Sequence, residues 1–199
     1  MPLTRLIVLA STSRYRRQLM ERLGVPFVVA TPAVDESPLA SETPSATAQR
    51  LAAAKAHAVA GAHADALIVG SDQVADCDGI AVSKPGDHAA AAAQLAAQSG
   101  RTIVFHTAVA LLDSRSGNLA SALVDVRSTF RTLDTRSIDA YLRRDKPYDC
   151  AGAVRSESLG ITLFERIDSD DPTALIGLPL IALSRLLRDA GVDVIKALP

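Results

Sequence analysis

The sequence is poor in cysteine and aromatic residues and has no tryptophan. Its two cysteines, Cys77 and Cys150, are far apart and form no Cys-x-x-Cys motif, so we expect two free thiols in a reducing compartment. No run of about 18 apolar residues occurs, which argues against a membrane span. The apolar stretch within Met1–Ala10 is too short for a signal peptide. The sequence therefore predicts a soluble, cytoplasmic protein.

An excess of either charge is also missing. Lysine and arginine number 21 against 22 aspartate and glutamate residues, for a net charge of −1. This balance argues against broad nonspecific binding to nucleic acid, which relies on a basic surface. A chain of 199 residues is long enough to bury a sizeable core. With no internal repeat and no strong linker, we predict one domain over residues 1–199.

Short apolar runs alternate along the chain with helical patterns, which predicts an α/β fold with a mixed, twisted sheet and flanking helices. A polar turn joins two long β-rich segments, which predicts a hairpin. The predicted strands are Leu6–Ala10, Val25–Thr31, Ala66–Gly70, Arg101–Leu112, Leu119–Phe130 and Ile161–Ile167. The predicted helices are Arg14–Leu23, Ala48–Ala62, His88–Ala97, Asp134–Arg144 and Pro179–Ala190, and Asp35–Thr47 is predicted to be a loop.

A turn rich in hydroxyls and arginines, Ser11–Arg17, follows the first predicted strand and opens the first predicted helix. The unpaired N–H groups and the dipole of a helix N-terminus attract anions. Arginine adds bidentate pairing with phosphate oxygens. The turn is therefore a candidate phosphate site, although a capped surface helix with solvated arginines fits the same pattern. It has neither the Walker glycine–lysine pattern nor the dinucleotide-binding glycine fingerprint.

Asp72 directly follows the predicted strand Ala66–Gly70, and ligands of open α/β sheets gather at such strand ends. Alone, it would more often be a turn or helix cap. Glu36, beside Asp35 in a polar loop, adds further acid, and Lys55 and Lys84 add positive charge. Carboxylates are ligands that Mg²⁺ and Mn²⁺ prefer, with phosphate oxygens completing the shell, and lysines can neutralise the remaining phosphate charge.

Seven segments of the chain together resemble the successive motifs of the Maf family of nucleotide pyrophosphatases, in the family's order and from about residue 6 to residue 186. This resemblance implies an α/β fold with two lobes around a nucleotide-binding cleft. It also implies metal-dependent hydrolysis of a nucleoside triphosphate between its α and β phosphates. The segments are LASTSRYRR, AVDES, RLAAAKA, VGSDQV, SKPGD, CAGAVRSESLGITLFERIDSDDP and GLPLIAL.

The resemblance also implies roles for individual residues. Asp72 matches the proton acceptor, although a metal-bound carboxylate is a weak base, so proton transfer and metal binding compete for it. Glu36 and Asp72 match the metal positions, which implies Mg²⁺ or Mn²⁺ as cofactor. The positions that match the phosphate-binding residues are Ser11, Arg16, Arg17, Lys55 and Lys84.

At three further positions, the sequence resembles the branch of the family that acts on 7-methyl-GTP. These positions are Tyr15, Gln73 and Glu157. The pyrimidine-specific branch tends to carry a lysine where this chain has Cys150. N7-methylation gives guanine a positive charge, so Tyr15 could offer a π-face and Glu157 an anion to the base. Gln73 could add its amide. Core packing for Tyr15 and solvated turns for Gln73 and Glu157 are the plain alternatives.

Two other functions remain open at this point. One is the same chemistry on dTTP, UTP or a modified pyrimidine triphosphate. The other is a non-catalytic nucleotide-binding regulator of cell division, which would not need the combination of Asp72, Glu36, Lys55 and Lys84. The family often forms homodimers, and the predicted hairpin at residues 101–130 could supply an interface.

Overall fold

A computed structural model describes residues 5–197, and it confirms the α/β class with a mixed sheet. Seven strands and five α-helices alternate through most of the described chain. The strands are β1 (Leu6–Ala10), β2 (Val28–Ala30), β3 (Ala66–Cys77), β4 (Ile80–Val82), β5 (Thr102–Asp113), β6 (Leu119–Phe130) and β7 (Phe164–Asp168). The helices are α1 (Arg14–Glu21), α2 (Pro44–Ala60), α3 (His88–Gln98), α4 (Thr135–Asp145) and α5 (Leu180–Asp189).

The sheet has the order β2-β1-β3-β5-β6-β7, with β4 paired to β3. Strand β1 runs parallel to β2 and β3, whereas β5, β6 and β7 are joined by antiparallel pairing. The predicted hairpin is confirmed as β5 and β6. Among residues 5–197 no helix is long and apolar enough to span a membrane.

Helix α2 covers one face of the sheet, where small side chains allow it to lie close. Its alanines pack on residues of β1, β3 and β5, with Ala48 and Ala52 against Ala108 and Ala110. The opposite face is covered by α1 and α5 at one end. At the other end, α4 packs there together with α3. The helices therefore flank the sheet as predicted, while the two-lobe arrangement stays a prediction.

The two strands that share one side of β3 leave a gap between them. Strand β5 pairs with β3 along Leu67–Asp76 on one side. On the other side, β1 pairs only as far as Gly70, and β4 pairs only from Ala75 onward. Residues 71–74 therefore face an opening in the sheet, and this opening leaves room for a ligand beside the middle of β3.

Several predicted boundaries were wrong. Asp72 does not follow a strand but lies within β3, because antiparallel β5 continues the pairing past the end of β1. Helix α2 begins at Pro44, inside the predicted loop, because Thr43 caps its N-terminus and proline suits the first turn. Strand β4 was missed. The last strand begins at Phe164, since residues 159–163 form a 3₁₀ helix.

Gly70 sets how closely α2 approaches β3. A Cβ atom at this position would lie 2.1 Å from the carbonyl oxygen of Ala52 and 2.9 Å from the backbone nitrogen of Ala56. Both atoms belong to helix backbone, which cannot give way by a rotamer change. The absence of a side chain at Gly70 therefore allows the contact that carries Lys55, one residue before Ala56, toward β3.

We predict that Gly70→Ala destabilises the fold by about 3 kcal/mol or more, because overpacking against backbone forces α2 away from the sheet. Thermal unfolding should show a loss of roughly 6–12 °C in Tm for a chain of this size. Gly61→Ala is the matched control, since Gly61 has helical φ and ψ angles and nothing within 4 Å of an added Cβ. Equal melting temperatures for Gly70→Ala and the wild type would contradict the prediction.

Candidate active site

A cleft of about 780 Å³ opens at the gap beside β3. The turn after β1, the loop before α2, the strand β3, the segment after β4 and the residues around 150–157 and 175–177 contribute to its walls. Of the residues singled out by sequence, all but Arg17 line it: Ser11, Tyr15, Arg16, Glu36, Lys55, Asp72, Gln73, Lys84 and Glu157. The fold thus brings together side chains that are up to 146 positions apart.

Lys55 bridges the two predicted acids at the floor of the cleft. Its ammonium nitrogen lies 2.6 Å from a carboxylate oxygen of Asp72 and 2.6 Å from one of Glu36. Lys55 and Asp72 are buried, whereas the Glu36 side chain is half exposed. Burial raises the pKa of Glu36, but the hydrogen bond and charge of Lys55 outweigh it, so the pKa lies below its ordinary value.

Arg16 is a second cation of the site, and its side chain is mostly buried. Its Nε donates to the carbonyl oxygen of Gly177 at 2.8 Å, and its terminal nitrogen lies 4.0 Å from Asp72. Burial lowers the pKa of the guanidinium, while Asp72 and Glu36 raise it. Arginine keeps its charge in proteins, so Arg16 presents a fixed positive charge beside the acids.

The turn that leaves β1 is arranged as the sequence predicts. The Ser11 hydroxyl accepts from the Ser13 backbone at 3.1 Å, and the Ser13 hydroxyl caps α1 by accepting from Arg16. Arg17 instead points away from the cleft, is exposed, and pairs with Glu21 at 3.1 Å. Lys84 is exposed at the cleft wall, where its charge also lowers the pKa of Glu36.

Basic side chains outnumber acidic ones around the Lys55 cluster, although four of each line the cleft as a whole. Near Lys55, Arg16, Lys55 and Lys84 supply three cations, and Glu36 and Asp72 supply two anions. This part of the cleft therefore favours a polyanion, because low-dielectric walls strengthen the field. If an anion paired with Lys55 and Arg16, the carboxylates of Glu36 and Asp72 would be free to bind a cation or a proton.

Tyr15 and Glu157 lie together at another part of the cleft wall. The Arg14 guanidinium covers the Tyr15 ring at 4.7 Å and donates to its hydroxyl at 2.6 Å. The Tyr15 ring therefore already holds a cation. Glu157 is exposed, and the loss of hydration near the wall raises the pKa of its carboxyl, an effect that the charge of Arg155 partly offsets.

The amide nitrogen of Gln73 bonds to the protein. Its nitrogen donates to the Thr107 hydroxyl at 3.0 Å and to the carbonyl oxygens of Ala174 and Leu175 at 2.9 and 3.1 Å. Carbonyls only accept, so the nitrogen must face them. The amide N–H groups are thus committed to the protein, and only the oxygen of Gln73 remains for a ligand.

A short segment, residues 174–177, was not assigned a role from the sequence. Its carbonyls hold Gln73, Arg16 and the hydroxyl of Ser71, the last through Gly177 at 3.0 Å. Asp171 fixes this segment by accepting from the first amides of α5 at 2.7 and 3.2 Å. The only signal in the sequence was an acid nine residues before the start of α5, a spacing that the rules for helix caps do not cover.

A second missed contact holds the loop that carries Glu36. Arg50 on α2 donates to both carboxylate oxygens of Glu42, at 2.6 and 2.8 Å, and to the carbonyl of Ser37 at 3.0 Å. The Arg50 bonds hold the pKa of Glu42 at about 2. The loop is thus fastened to α2 next to Lys55.

The donor set suits a hard divalent cation. Glu36 and Asp72 are oxygen ligands, and Mg²⁺ is commonly held by one or two carboxylates together with substrate phosphates. No group of three or more metal-binding side chains occurs within residues 5–197. Glu36 and Asp72 are the residues that would hold such an ion, and Lys55 contacts both.

The fold is that of an α/β protein with a cleft at a gap in its sheet. In the cleft, Lys55 pairs with Asp72 and Glu36 beside the serine- and arginine-rich turn that follows β1. The chain belongs to the Maf-like protein family, whose model matches residues 6–190.

Relatives of this chain are named 7-methyl-GTP pyrophosphatase. One from Burkholderia pseudomallei is 58% identical over 96% of this chain and 90% of its own length. One from Cupriavidus metallidurans is 56% identical over 93% of each chain. A third, from Albidiferax ferrireducens, is 51% identical over 98% of each chain.

The Glu42–Arg50 pair makes stability depend on acid pH. The folded-state pKa of Glu42, about 2, lies below its ordinary value of 4.5. The contribution of Glu42 to the free energy of unfolding is therefore complete above pH 4.5 and is lost as the pH falls toward 2. We predict that Glu42→Gln lowers Tm at neutral pH and that this difference shrinks steadily in acid.

Thermal melts of wild type and Glu42→Gln across this range measure the effect. Glu21→Gln is the control, because Glu21 makes an exposed pair with Arg17, and such pairs contribute little. A Glu42→Gln difference that stays constant or grows in acid would show that the pair does not act through its charge.

Proposed function

We propose that this protein hydrolyses 7-methyl-GTP to 7-methyl-GMP and diphosphate. The observation that carries the proposal is the Lys55 bridge between Asp72 and Glu36, beside the turn Ser11–Arg16 in one cleft. The names of relatives that are 51–58% identical support the choice of nucleotide.

In the proposed reaction, Arg16, Lys55 and Lys84 neutralise the triphosphate, and the Ser11 turn contacts its oxygens. A water molecule attacks the α-phosphorus, and the bond from this phosphorus to the oxygen bridging to the β-phosphate breaks. The water loses one proton to Asp72 or to solvent, and diphosphate leaves with the electron pair. Preorganised charges around the triphosphate lower the barrier because they need not reorient during the reaction.

We further propose that the reaction depends on a divalent cation, Mg²⁺ or Mn²⁺, held by Glu36 and Asp72. When bound, such an ion supplies Lewis-acid stabilisation of negative charge on phosphate oxygens. With the ion held by Glu36 and Asp72, Lys55 would contact phosphate oxygens in place of the two carboxylates. The hard oxygen donors support this choice over zinc.

The same proposal assigns base recognition to Tyr15, Glu157 and Gln73. The Arg14 guanidinium lies over the Tyr15 ring, so N7-methylated guanine, which is also a cation, would take the place of Arg14 or use the other face of the ring. Glu157 accepts from the N1–H and N2–H groups of the base. Gln73 takes part through its oxygen, since its nitrogen bonds to residues 174–175.

We propose one domain over residues 1–199 that acts in the cytoplasm and forms a homodimer without binding nucleic acid. Cys77 and Cys150 are both free, which suits a reducing compartment. The hairpin of β5 and β6 is the proposed interface, and the exposed Leu119 lies at its end. Light scattering that gives the molar mass of one chain would refute the dimer.

The substrate assignment predicts a defined activity profile. Diphosphate release should be fastest with 7-methyl-GTP and slower by about tenfold or more with UTP and dTTP, which lack the paired N1–H and N2–H donors, since a charged hydrogen bond is worth about 1.5–3 kcal/mol. It should also be slower with GTP, whose base has the same donors but lacks the positive charge. Excess chelator should abolish turnover, and Mg²⁺ or Mn²⁺ should restore it. Preference for UTP or dTTP would favour the pyrimidine alternative, and binding without turnover would favour the regulator. Orthophosphate as first product would exclude this reaction.

Asp72→Asn should reduce kcat by a hundredfold or more while leaving the fold intact, with a lower melting temperature because buried Lys55 loses the charge of one of its two partners. Asparagine keeps the shape of the side chain but loses the charge needed for proton transfer or metal binding. Asp76→Asn is the matched control, because Asp76 lies on the same strand, pairs with His106 at 3.2 Å and does not line the cleft. Near-normal turnover by Asp72→Asn would show that the chemistry is elsewhere.

A further inference from the structure

A buried carboxylate, Asp145, lies at the C-terminal end of α4. One of its oxygens accepts from the Arg155 guanidinium and from the Ser158 hydroxyl, at 2.5 Å each. Its other oxygen is buried without a hydrogen-bond partner among the described residues. Burial raises the pKa of Asp145, but the bonds from Ser158 and Arg155 lower it below the ordinary value, so the group stays charged.

Both partners of Asp145 belong to one tight turn, and Glu157 lies between them. The Ser158 backbone nitrogen donates to the carbonyl of Arg155 at 3.2 Å, which closes the turn. Gly160 packs against the same backbone, since a Cβ atom there would lie 2.5 Å from the Arg155 oxygen. A single carboxylate oxygen thus fastens both ends of the turn that presents Glu157 to the cleft.

Arg155 also connects this turn with Tyr15. Its guanidinium lies close enough to the Tyr15 hydroxyl to lower the pKa of Tyr15, against the burial that raises it. Arginine is suited to facing two groups at once because its planar group offers five donors in fixed directions. Arg155, which Asp145 holds, therefore lies beside both the turn that carries Glu157 and the Tyr15 hydroxyl.

We propose that Asp145 and Arg155 are positioning residues for base recognition, holding Glu157 and Tyr15 at a fixed separation across the base subsite. The inference rests on the proposed function for the identity of the base. Neither residue lines the cleft, so neither contacts the ligand in this arrangement. Without the link, the turn and the tyrosine move independently, and binding must then order both.

The plain alternative is that the pair only fastens α4 to the rest of the fold. This alternative predicts that Asp145→Asn weakens the binding of the base and of the phosphates equally, or that it lowers stability alone. The positioning role predicts that only the binding of the base becomes weaker. Two ligand fragments separate these cases: 7-methylguanosine, which has the base without phosphates, and tripolyphosphate, which has phosphates without a base.

The test uses Asp145→Asn in the full chain. We expect the inhibition constant of 7-methylguanosine to rise by about tenfold and that of tripolyphosphate to change by less than about twofold, since small displacements at a recognition site are costly. KM for 7-methyl-GTP should rise in parallel while kcat changes little. Glu157→Gln, which alters the proposed base contact directly, should match or exceed the tenfold effect.

Asp139→Asn is the matched control. Asp139 also lies on α4 and pairs with an arginine, Arg143, at 2.8 Å, but on an exposed face outside the cleft. Both fragments should bind this variant as they bind the wild type. If Asp145→Asn fails to fold, Ser158→Ala keeps the ion pair and frees one end of the turn, and it should raise the 7-methylguanosine constant by about threefold.

Equal weakening of both fragments, or no change in either, would overturn the positioning role. Wild-type binding of guanosine as tight as that of 7-methylguanosine would contradict the proposed substrate instead. The positioning role can still be tested in that case. The test compares the inhibition constants of the variant and the wild type for whichever nucleoside the wild type binds more tightly.

Discussion

The close approach of α2 to β3 at Gly70 is the constraint on which the candidate site depends. Because Gly70 has no side chain, the backbone of α2 reaches contact distance with the sheet. Lys55 then projects from the inner face of the helix onto Asp72, two residues further along β3. A buried lysine would be unfavourable alone, and its contacts with Asp72 and Glu36 compensate for its lost hydration.

The interrupted pairing along β3 supplies the space that this cluster needs. A strand bonded on both sides through residues 71–74 would bury those positions under neighbouring backbone. Instead, β1 ends at Gly70 and β4 begins to pair at Ala75, so ligand atoms can approach the middle of β3 from the side. The strand itself stays rigid because β5 pairs with it throughout. Rigid backbone beside an opening is a favourable place for functional groups, which must be held precisely.

Buried acids outside the cleft fix the parts that line it. Asp171 caps α5 and so fixes the carbonyls that hold Arg16 and Gln73. Glu42, through Arg50, fastens the loop that carries Glu36. Asp145 fastens the turn that carries Glu157. In each case a carboxylate accepts several bonds, which resists displacement of the segment more strongly than one bond would.

The sequence by itself determined the α/β class and most helices and strands, and nine of the ten residues singled out from it line the cleft. Apolar runs and capping residues carry such information locally, and the order of motifs carried the rest. Only the tertiary structure decided that Asp72 lies within a strand and that the nitrogen of Gln73 bonds to residues 174–175. It also decided that Arg17 faces away and that Asp145 fastens the turn that carries Glu157. These features depend on pairing between distant strands and on which neighbours a side chain meets, and no local pattern of residues encodes either.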